Sequence, residues 1–357
     1  MRKTIVFLLL TTLLLGCAEM DRYIRVTGYA QGGTYTVTCN LRGVSVPPAE
    51  IHDSIESILH LIDTTLSGYN KGSLLSRFNA GEPVRPNGLF LDMYRVSYGW
   101  FVRSGGCLDF AAGPLYDAWG FGFKSGEMPS DEAVKEIVAS CGMKHLPDSL
   151  PVVDGMVDPA ALGFPKLNYN AIAQGYSCDL VAAYLYGIGV KDMLVDIGEI
   201  YCDGLNPSGK PWSVGVDRPL DGNDTPGEDL DGIWLSDGGP RGVVTSGNYR
   251  KFYIRDGKKY SHTIDPLSGY PVSHNLLSAT IAAPDAASAD ALATWCMVIG
   301  LDASKDLILS DDSIEGYLIS SSADGLEGSS ESGTLSGDGL KAGSLSEWSS
   351  PGFSLRQ

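Results

Sequence analysis

Ser288-Ala-Asp-Ala-Leu-Ala-Thr-Trp295 reads as helix, and it carries one acid and one hydroxyl four residues apart. Positions i and i+4 project from one side of a helix, so Asp290 and Thr294 present two oxygen ligands together. Upstream stands Tyr260-Ser-His-Thr-Ile-Asp-Pro-Leu-Ser-Gly-Tyr-Pro271, which sets a lone histidine, His262, beside an Asp-Pro turn. Together the two stretches point to metal-assisted chemistry on a phosphate.

Each residue type has a chemical reason to be there. Mg²⁺ favours octahedral oxygen and usually takes one or two carboxylates plus waters and substrate phosphates, a habit that one Asp and one Thr fit. A plainer arrangement fits the same pair: Asp290 complements the helix dipole and Thr294 packs by its methyl. Both readings stand at this point. His262 lies between strand-like Lys258-Lys-Tyr-Ser and a turn anchored by Pro266 and Gly269, which could fix it as a general base. A histidine alone is as commonly structural. Asn168-Tyr-Asn-Ala-Ile-Ala-Gln-Gly-Tyr176 leads into a helix. Its small residues permit close approach of a ligand, and a helix N-terminus suits phosphate; ordinary helix packing is the alternative. Val244-Thr-Ser-Gly-Asn-Tyr-Arg-Lys-Phe252 reads as a turn between strands with hydroxyls and amides exposed.

The chain has 357 residues, 43% of them hydrophobic, enough for a sizeable core. Its net charge is −17, and no Lys/Arg cluster follows Arg2-Lys3. Nucleic acid is therefore not an expected partner, because binding it depends on neutralising phosphates. Small anions stay possible where a metal ion supplies local positive charge. Arg2-Lys3 precedes an apolar run from Ile5 to Leu15 that is too short for a membrane span and suits a signal peptide. The run ends in Leu14-Leu-Gly-Cys17, which looks like a bacterial lipobox with Cys17 as the lipidated residue. The expectation is a protein anchored by lipid to the membrane of a bacterial cell envelope, facing the periplasm. Of the other six cysteines, none forms a Cys-x-x-Cys pair, and buried free thiols are expected.

Along the chain, the signal peptide occupies residues 1–17 and a tether 18–30. A catalytic domain spans 31–320, a Ser/Gly-rich flexible insertion 321–346, and a C-terminal strand or tail 347–357. From residue 320 to 346, 15 of 27 residues are Ser or Gly, a composition unable to bury enough apolar surface to order itself. Helices are expected over 48–66, 73–78, 87–104, 131–141, 170–185 and 286–299. Strands are expected near 34–38, 193–197, 212–216, 242–245, 251–255 and 278–283, with Leu108–Pro114 as strand-to-turn and 219–240 as loop.

Taken in order, these segments resemble the ApbE-type FAD:protein FMN transferase family. The resemblance runs through Gly32-Gly-Thr-Tyr35, Leu66-Ser-Gly-Tyr69, Ser73-Leu-Leu-Ser-Arg-Phe-Asn79, Leu108 to Pro114 and Asn170 to Asp179. It continues through Val195-Asp-Ile-Gly198, Trp212-Ser-Val-Gly-Val216, Thr245-Ser-Gly-Asn-Tyr-Arg250, His262 to Gly269 and Ala289 to Thr294. It implies an α+β fold with a central mixed or antiparallel sheet and packed helices, of T-fold-like architecture. It implies transfer of the FMN half of FAD to a Thr or Ser hydroxyl of a target protein, with AMP leaving. Mg²⁺ would be held by Asp290, Thr294 and the carbonyl of Ala171, and His262 would be the base. FAD would lie across Gly32, Tyr69, Ala111, Ala112, Gly113, Asn168, Gln174 and Ile264, with Tyr69 and Phe110 as flat neighbours for the flavin. The acceptors would be subunits of extracytoplasmic electron-transfer complexes. An FAD pyrophosphatase and a non-enzymatic flavin-binding lipoprotein are the alternatives.

The chain also departs from the family's habits. Gly32-Gly33-Thr34 stands where Met-Gly-Thr is usual, Asn168 replaces Asp, Gln174 replaces Lys, and Asp196-Ile-Gly-Glu199 replaces Asn-Ile-Gly-Gly. Asp324-Gly-Leu-Glu-Gly-Ser-Ser330 is like the family's acceptor motif, but Glu327 lacks the hydroxyl, so flavinylation of this chain there is not expected.

Overall fold

A computed structural model describes residues 22–121, 128–220, 223, 225–249, 252–255, 258–321 and 345–356. Cys17 with its lipobox, the 322–344 part of the Ser/Gly-rich stretch and the Asp324–Ser330 motif lie outside the described residues. The main sheet has eight strands in the order β1-β2-β3-β4-β7-β10-β11-β12, and every neighbouring pair is antiparallel. The strands are β1 (Tyr23–Ala30), β2 (Gly33–Asn40), β3 (Met193–Asp196), β4 (Ile200–Asp203), β7 (Arg241–Gly247), β10 (Leu276–Ala283), β11 (Glu315–Ser321) and β12 (Leu345–Ser349). A smaller sheet joins β13 (Leu355–Arg356), β6 (Leu230–Leu235) and β5 (Ser213–Asp217); β8 (Phe252–Arg255) and β9 (Lys258–Ser261) form a hairpin. The helices are α1 (Pro48–Leu66), α2 (Leu74–Asn79), α3 (Gly88–Arg103), α4 (Gly113–Ala118), α5 (Asp131–Ser140), α6 (Ala173–Gly187), α7 (Ala286–Ile299) and α8 (Leu301–Leu309).

The layers follow from strand alternation. Along β7, Val244 joins the large core under the helices while Val243 points to the other face. There Val243, Cys202, Ala282, Tyr317 and Ile319 meet Val214, Val216 and Trp234 of the small sheet, with Phe353 stacked on Tyr317. The helix-side core takes Ile51, Ile55, Leu59 and Ile62, spaced along one face of α1. Helix starts follow ordinary capping: Ser73, Asn87 and Ser130 each accept from the amide three residues on. A third cluster, Ala112, Leu115, Trp119, Val134 and Ile264, packs α4 and α5 against the segment that carries His262.

Four expectations are corrected. The stretch assigned to a tether, 18–30, contains β1, which pairs along its length with β2 from Tyr23↔Asn40 to Ala30↔Gly33. The cause is the two-residue connection: Gln31 and Gly32 both have positive φ, the geometry that closes a tight hairpin. Within the expected loop 219–240 lies β6; its Asp231 and Gly232 hid an alternation that buries Gly232 and Trp234 and exposes Ile233. Leu108–Pro114 makes a single parallel bridge, Ala112↔Lys166, and then enters α4 instead of extending as strand. The C-terminal strand expected from residue 347 is β12, which begins at Leu345, inside the stretch expected to be a flexible insertion, and pairs with β11 as the eighth strand. The six cysteines from Cys39 to Cys296 are free thiols, four of them buried.

Helix α7 lies directly on β7. A Cβ added at Gly242 would stand 2.3 Å from the Cα of Ala286, closer than any real side chain allows. Gly242→Ala should therefore lower stability to urea unfolding by about 1–3 kcal/mol. Gly99, on the open side of α3 with nothing within 4 Å, is the control: Gly99→Ala should raise stability by about 0.5–1 kcal/mol.

Candidate active site

Helices α6 and α7 bring the predicted site together. They cross where α6 has no side chain: a Cβ at Gly175 would meet the Ala286 carbonyl oxygen at 2.2 Å. Across this contact the two N-termini exchange carboxylates. The Gly175 N–H, one of the unpaired first-turn amides of α6, donates to Asp290 Oδ2 at 3.1 Å. In return both oxygens of Asp179, on α6, accept from the first amides of α7, Ala286 at 2.8 Å and Ala287 at 2.9 Å. Asp285 completes the cap, accepting from the Ser288 N–H at 2.7 Å and the Ser288 hydroxyl at 2.9 Å.

Asp290 is 4% exposed. Burial pushes its carboxyl up from the usual carboxylate range; the Gly175 N–H opposes this and Asp179 reinforces it. Among the described residues no basic side chain pairs with Asp290. Thr294, one turn further, is half-buried, and its hydroxyl lies 3.5 Å from the Ser246 hydroxyl on β7. Ala171 lies two residues before α6, whose first turn bonds Asp290 through Gly175. Among the described residues no three His, Cys, Asp or Glu side chains converge at metal-ligand spacing. A cation here would depend on mixed oxygen donors: one carboxylate, one hydroxyl and a main-chain carbonyl. A buried carboxylate without a cationic partner fits that requirement.

The register of α7 on β7 places these groups at one end of the sheet. Gly242 touches the start of α7, Val244 enters the core, and Ser246 reaches Thr294. Four strand residues and eight helix residues both advance by about 12–13 Å, so strand and helix stay in step. Beyond β7, Asn248 reaches the segment of His262. Its Oδ1 accepts from the Ser261 hydroxyl at 2.5 Å and the Thr263 hydroxyl at 2.7 Å. The His262 ring meets Phe121 edge-on at 6.5 Å. The following turn is tied by Asp265, which accepts from the Leu267 and Ser268 amides, and by the Trp119 indole donating to the Gly269 carbonyl at 2.7 Å.

The residues expected to contact a dinucleotide divide into two sorts. Ala111, Ala112 and Ile264 have buried side chains, so they can offer a ligand only main chain. Asp109 shapes that loop, accepting from the Ala111 and Met143 amides. Gly113 must be glycine-sized, because a Cβ would lie 2.7 Å from the Lys166 carbonyl oxygen. The 110–113 loop runs beside Asn168, whose amide donates to Phe110 O at 2.8 Å. Gly32, at the tip of the β1–β2 hairpin, is exposed, and its neighbour Gln31 donates to the Ser177 hydroxyl of α6 at 2.6 Å. Tyr69 is 71% exposed. Gln174 Nε2 points to the β3–β4 turn, 3.3 Å from the Ile197 carbonyl. One expectation fails: Phe110 is 2% exposed, packed against Tyr169 in the core, and cannot lie beside a flavin. The alternation of apolar residues around it would have flagged this. Asp179, Ser246 and Asn248 were not singled out from the sequence, because their roles depend on which element each one faces.

Asp179 yields a test. Burial pushes its carboxyl up from 3.8 to about 6 despite the two amides it accepts from. The folded state therefore favours the protonated form; this contribution is complete below about 3.8 and is lost as pH rises through about 6. In urea unfolding, the stability of Asp179→Asn relative to wild type should improve as pH rises across that window. At pH 7 Asp179→Ala should cost about 0.5–2 kcal/mol, as loss of a helix cap does.

Comparison with known proteins identifies the family. Residues 21–318 match the ApbE family. The FAD:protein FMN transferase of Vibrio cholerae serotype O1 is 30% identical over 308 residues, covering 84% of this chain and 88% of its own. That of Escherichia coli K12 is 32% identical over 270 residues, covering 73% and 74%. The solved flavin transferase ApbE of Vibrio cholerae superposes with a TM-score of 0.71 at 26% identity, covering 93% of this chain and 98% of that one. The apo flavinyl transferase ApbE of Pseudomonas stutzeri gives 0.72 at 29%, with 93% and 95% covered. With nearly all of its folded part matched in sequence and in architecture, the chain belongs to the ApbE family.

Proposed function

We propose that this protein is an FAD:protein FMN transferase, joining the FMN half of FAD to a Thr or Ser hydroxyl of an acceptor protein and releasing AMP. The observation that carries this reading is the buried carboxylate of Asp290, which has no basic side-chain partner among the described residues, one helical turn from Thr294, whose hydroxyl faces Ser246; Asn248, two residues on, accepts from both neighbours of His262. Names of relatives support the same chemistry. In the step, the acceptor oxygen bonds to the FMN phosphorus, the bond from that phosphorus to the bridging oxygen breaks, and AMP departs with that oxygen. His262 takes the hydroxyl proton. General-base help of this kind is worth about 10²–10⁴-fold.

Asp290, Thr294 and the Ala171 carbonyl are the groups that would hold Mg²⁺. When bound, it supplies positive charge at the pyrophosphate. The main chain at Ala111, Ala112, Gly113 and Ile264 and the side chains of Asn168 and Gln174 would orient FAD, with Gly32 giving close approach and Tyr69 a face for the flavin. The acceptors would be extracytoplasmic electron-transfer subunits, met at a membrane to which lipidated Cys17 anchors the enzyme. Among the described residues no helix is long and apolar enough to cross a membrane.

The test is incubation of the full chain with FAD, Mg²⁺ and a peptide bearing Asp-Gly-x-Thr-Gly-Ala-Thr, read by mass. A peptide heavier by one FMN is expected. His262→Ala should slow the transfer by about 10²–10⁴-fold, and Asp290→Ala should abolish it at any Mg²⁺ concentration the wild type needs. Free FMN with no peptide adduct would instead make the protein a pyrophosphatase.

A further inference from the structure

The segment that carries His262 is short of regular structure at the histidine itself. β9 ends at Ser261, and from Ile264 the chain is pinned by its bridge to Pro271 and by the Asp265 turn. Between these fixed points only a few residues determine where the imidazole stands. Both residues flanking His262, Ser261 and Thr263, give their hydroxyl protons to one acceptor, Asn248 Oδ1, at 2.5 and 2.7 Å. The Ser261 hydroxyl in turn accepts from the Thr263 N–H at 3.0 Å. A carbonyl oxygen has two lone pairs, and here both are filled by the two neighbours of one residue.

Asn248 is itself immobilised. It is 8% exposed, and its N–H donates to the Leu277 carbonyl of β10 at 2.9 Å. It follows β7 directly, two residues after Ser246, whose hydroxyl faces Thr294. One short stretch, Ser246-Gly-Asn248, thus contacts the helix of Asp290 and Thr294 at one end and the clamp around His262 at the other. Through Asn248, this stretch bonds the residues on both sides of His262.

We infer that Asn248 is a positioning residue for His262, holding the imidazole at a fixed distance from the Asp290–Thr294 pair by clamping the hydroxyls on either side of it. The inference rests on the reading of His262 as the base. Without the amide, Ser261 and Thr263 lose their shared acceptor and the histidine gains freedom, while the residues that would contact FAD are untouched. A displacement of the order of 1 Å at a reacting group can cost about 10²-fold in rate.

The experiment is a double-mutant cycle on the full chain: wild type, Asn248→Ala, His262→Ala and the double variant, each assayed with FAD, Mg²⁺ and the acceptor peptide. Asn248→Ala should lower kcat by about 10- to 100-fold and leave KM for FAD within about twofold of wild type. In the His262→Ala background the same change should cost almost nothing more, because the group it positions is gone. Asn248→Asp keeps an acceptor oxygen in the same place and should recover most of kcat. Thr263→Val, nearly isosteric, should lower kcat in the same direction at unchanged Tm, and it serves if Asn248→Ala does not fold. Equal losses with and without His262, a raised KM at unchanged kcat, or wild-type kcat in both Asn248→Ala and Thr263→Val would overturn the inference. Wild-type kcat in His262→Ala would instead remove the base reading itself, and the inference with it.

Discussion

The contact on which the site depends is the exchange of carboxylates between the N-termini of α6 and α7. Every helix begins with amides that its own backbone cannot satisfy. Here the start of α7 takes Asp179 from α6, and the start of α6 takes Asp290 from α7. The exchange needs the helices to touch, and Gly175 lets them, since any side chain there would collide with the Ala286 carbonyl. As a result Asp290 is buried, and Asp179 and Asp285 are half-buried at the same helix contact. Burial raises the carboxyls of Asp179 and Asp290 above their usual range, and the amides of both helix ends partly offset that cost. A local excess of buried negative charge is poor design for stability alone and good design for a cation site.

The sheet turns this helix pair into a two-sided site. Because β7 and α7 advance in step, the glycine at 242 seats one end of the helix and the hydroxyl at 246 meets Thr294 near the other. The chain then leaves the sheet at Asn248 and returns through the β8–β9 hairpin to His262. The end of β7 thus touches both parts of the proposed site, Ser246 facing Thr294 and Asn248 accepting from the two residues that flank His262. On the other face, the small sheet and Phe353 cover Tyr317 and Ile319, so the strands that carry the site are packed from both sides.

Much of this was legible in the sequence. The helical spacing of Ile51, Ile55, Leu59 and Ile62 located α1, Gly105-Gly106 marked the end of α3, and the i, i+4 spacing of Asp290 and Thr294 did put both on one face of a helix. The histidine turn announced itself through Asp265, Pro266 and Gly269. Less was legible where the cause is tertiary. β1 is legible in its β-branched and aromatic residues, Tyr23, Ile24, Val26, Thr27 and Tyr29, but its place as an edge strand depends on pairing with β2. β6 was hidden by Asp231 and Gly232, of which the first accepts from the Tyr317 hydroxyl and pairs with Arg218, and the second sits under Leu355. Phe110 was assigned to a ligand because motif position carries no information about burial. Asp179 and Asn248 act on residues 107 and 15 positions away in the chain, so no local pattern could reveal them.

Two of the departures from the family pattern, at Gln174 and at Asp196-Ile-Gly-Glu199, make the start of α6 more negative, while Asn168 removes one negative charge. Where lysine is usual stands Gln174, and its amide is turned toward the Ile197 carbonyl and the glycine of the β3–β4 turn. Asp196 and Glu199 flank that turn, and burial pushes the Asp196 carboxyl up. The protein as a whole carries a charge of −17. A dinucleotide pyrophosphate approaching such a surface gains little from side-chain cations near α6. In the proposed reading its attraction would come from oriented main-chain amides and from a divalent ion, both short-range sources that act only on a ligand already seated. Long-range steering of an anion is correspondingly weak, and in the proposed reading specificity for FAD would rest on fit against Tyr69, the 110–113 loop and Ile264 rather than on charge. In the proposed reading, the acids around the α6–α7 contact would disfavour a bare anion and favour one that arrives with its own cation.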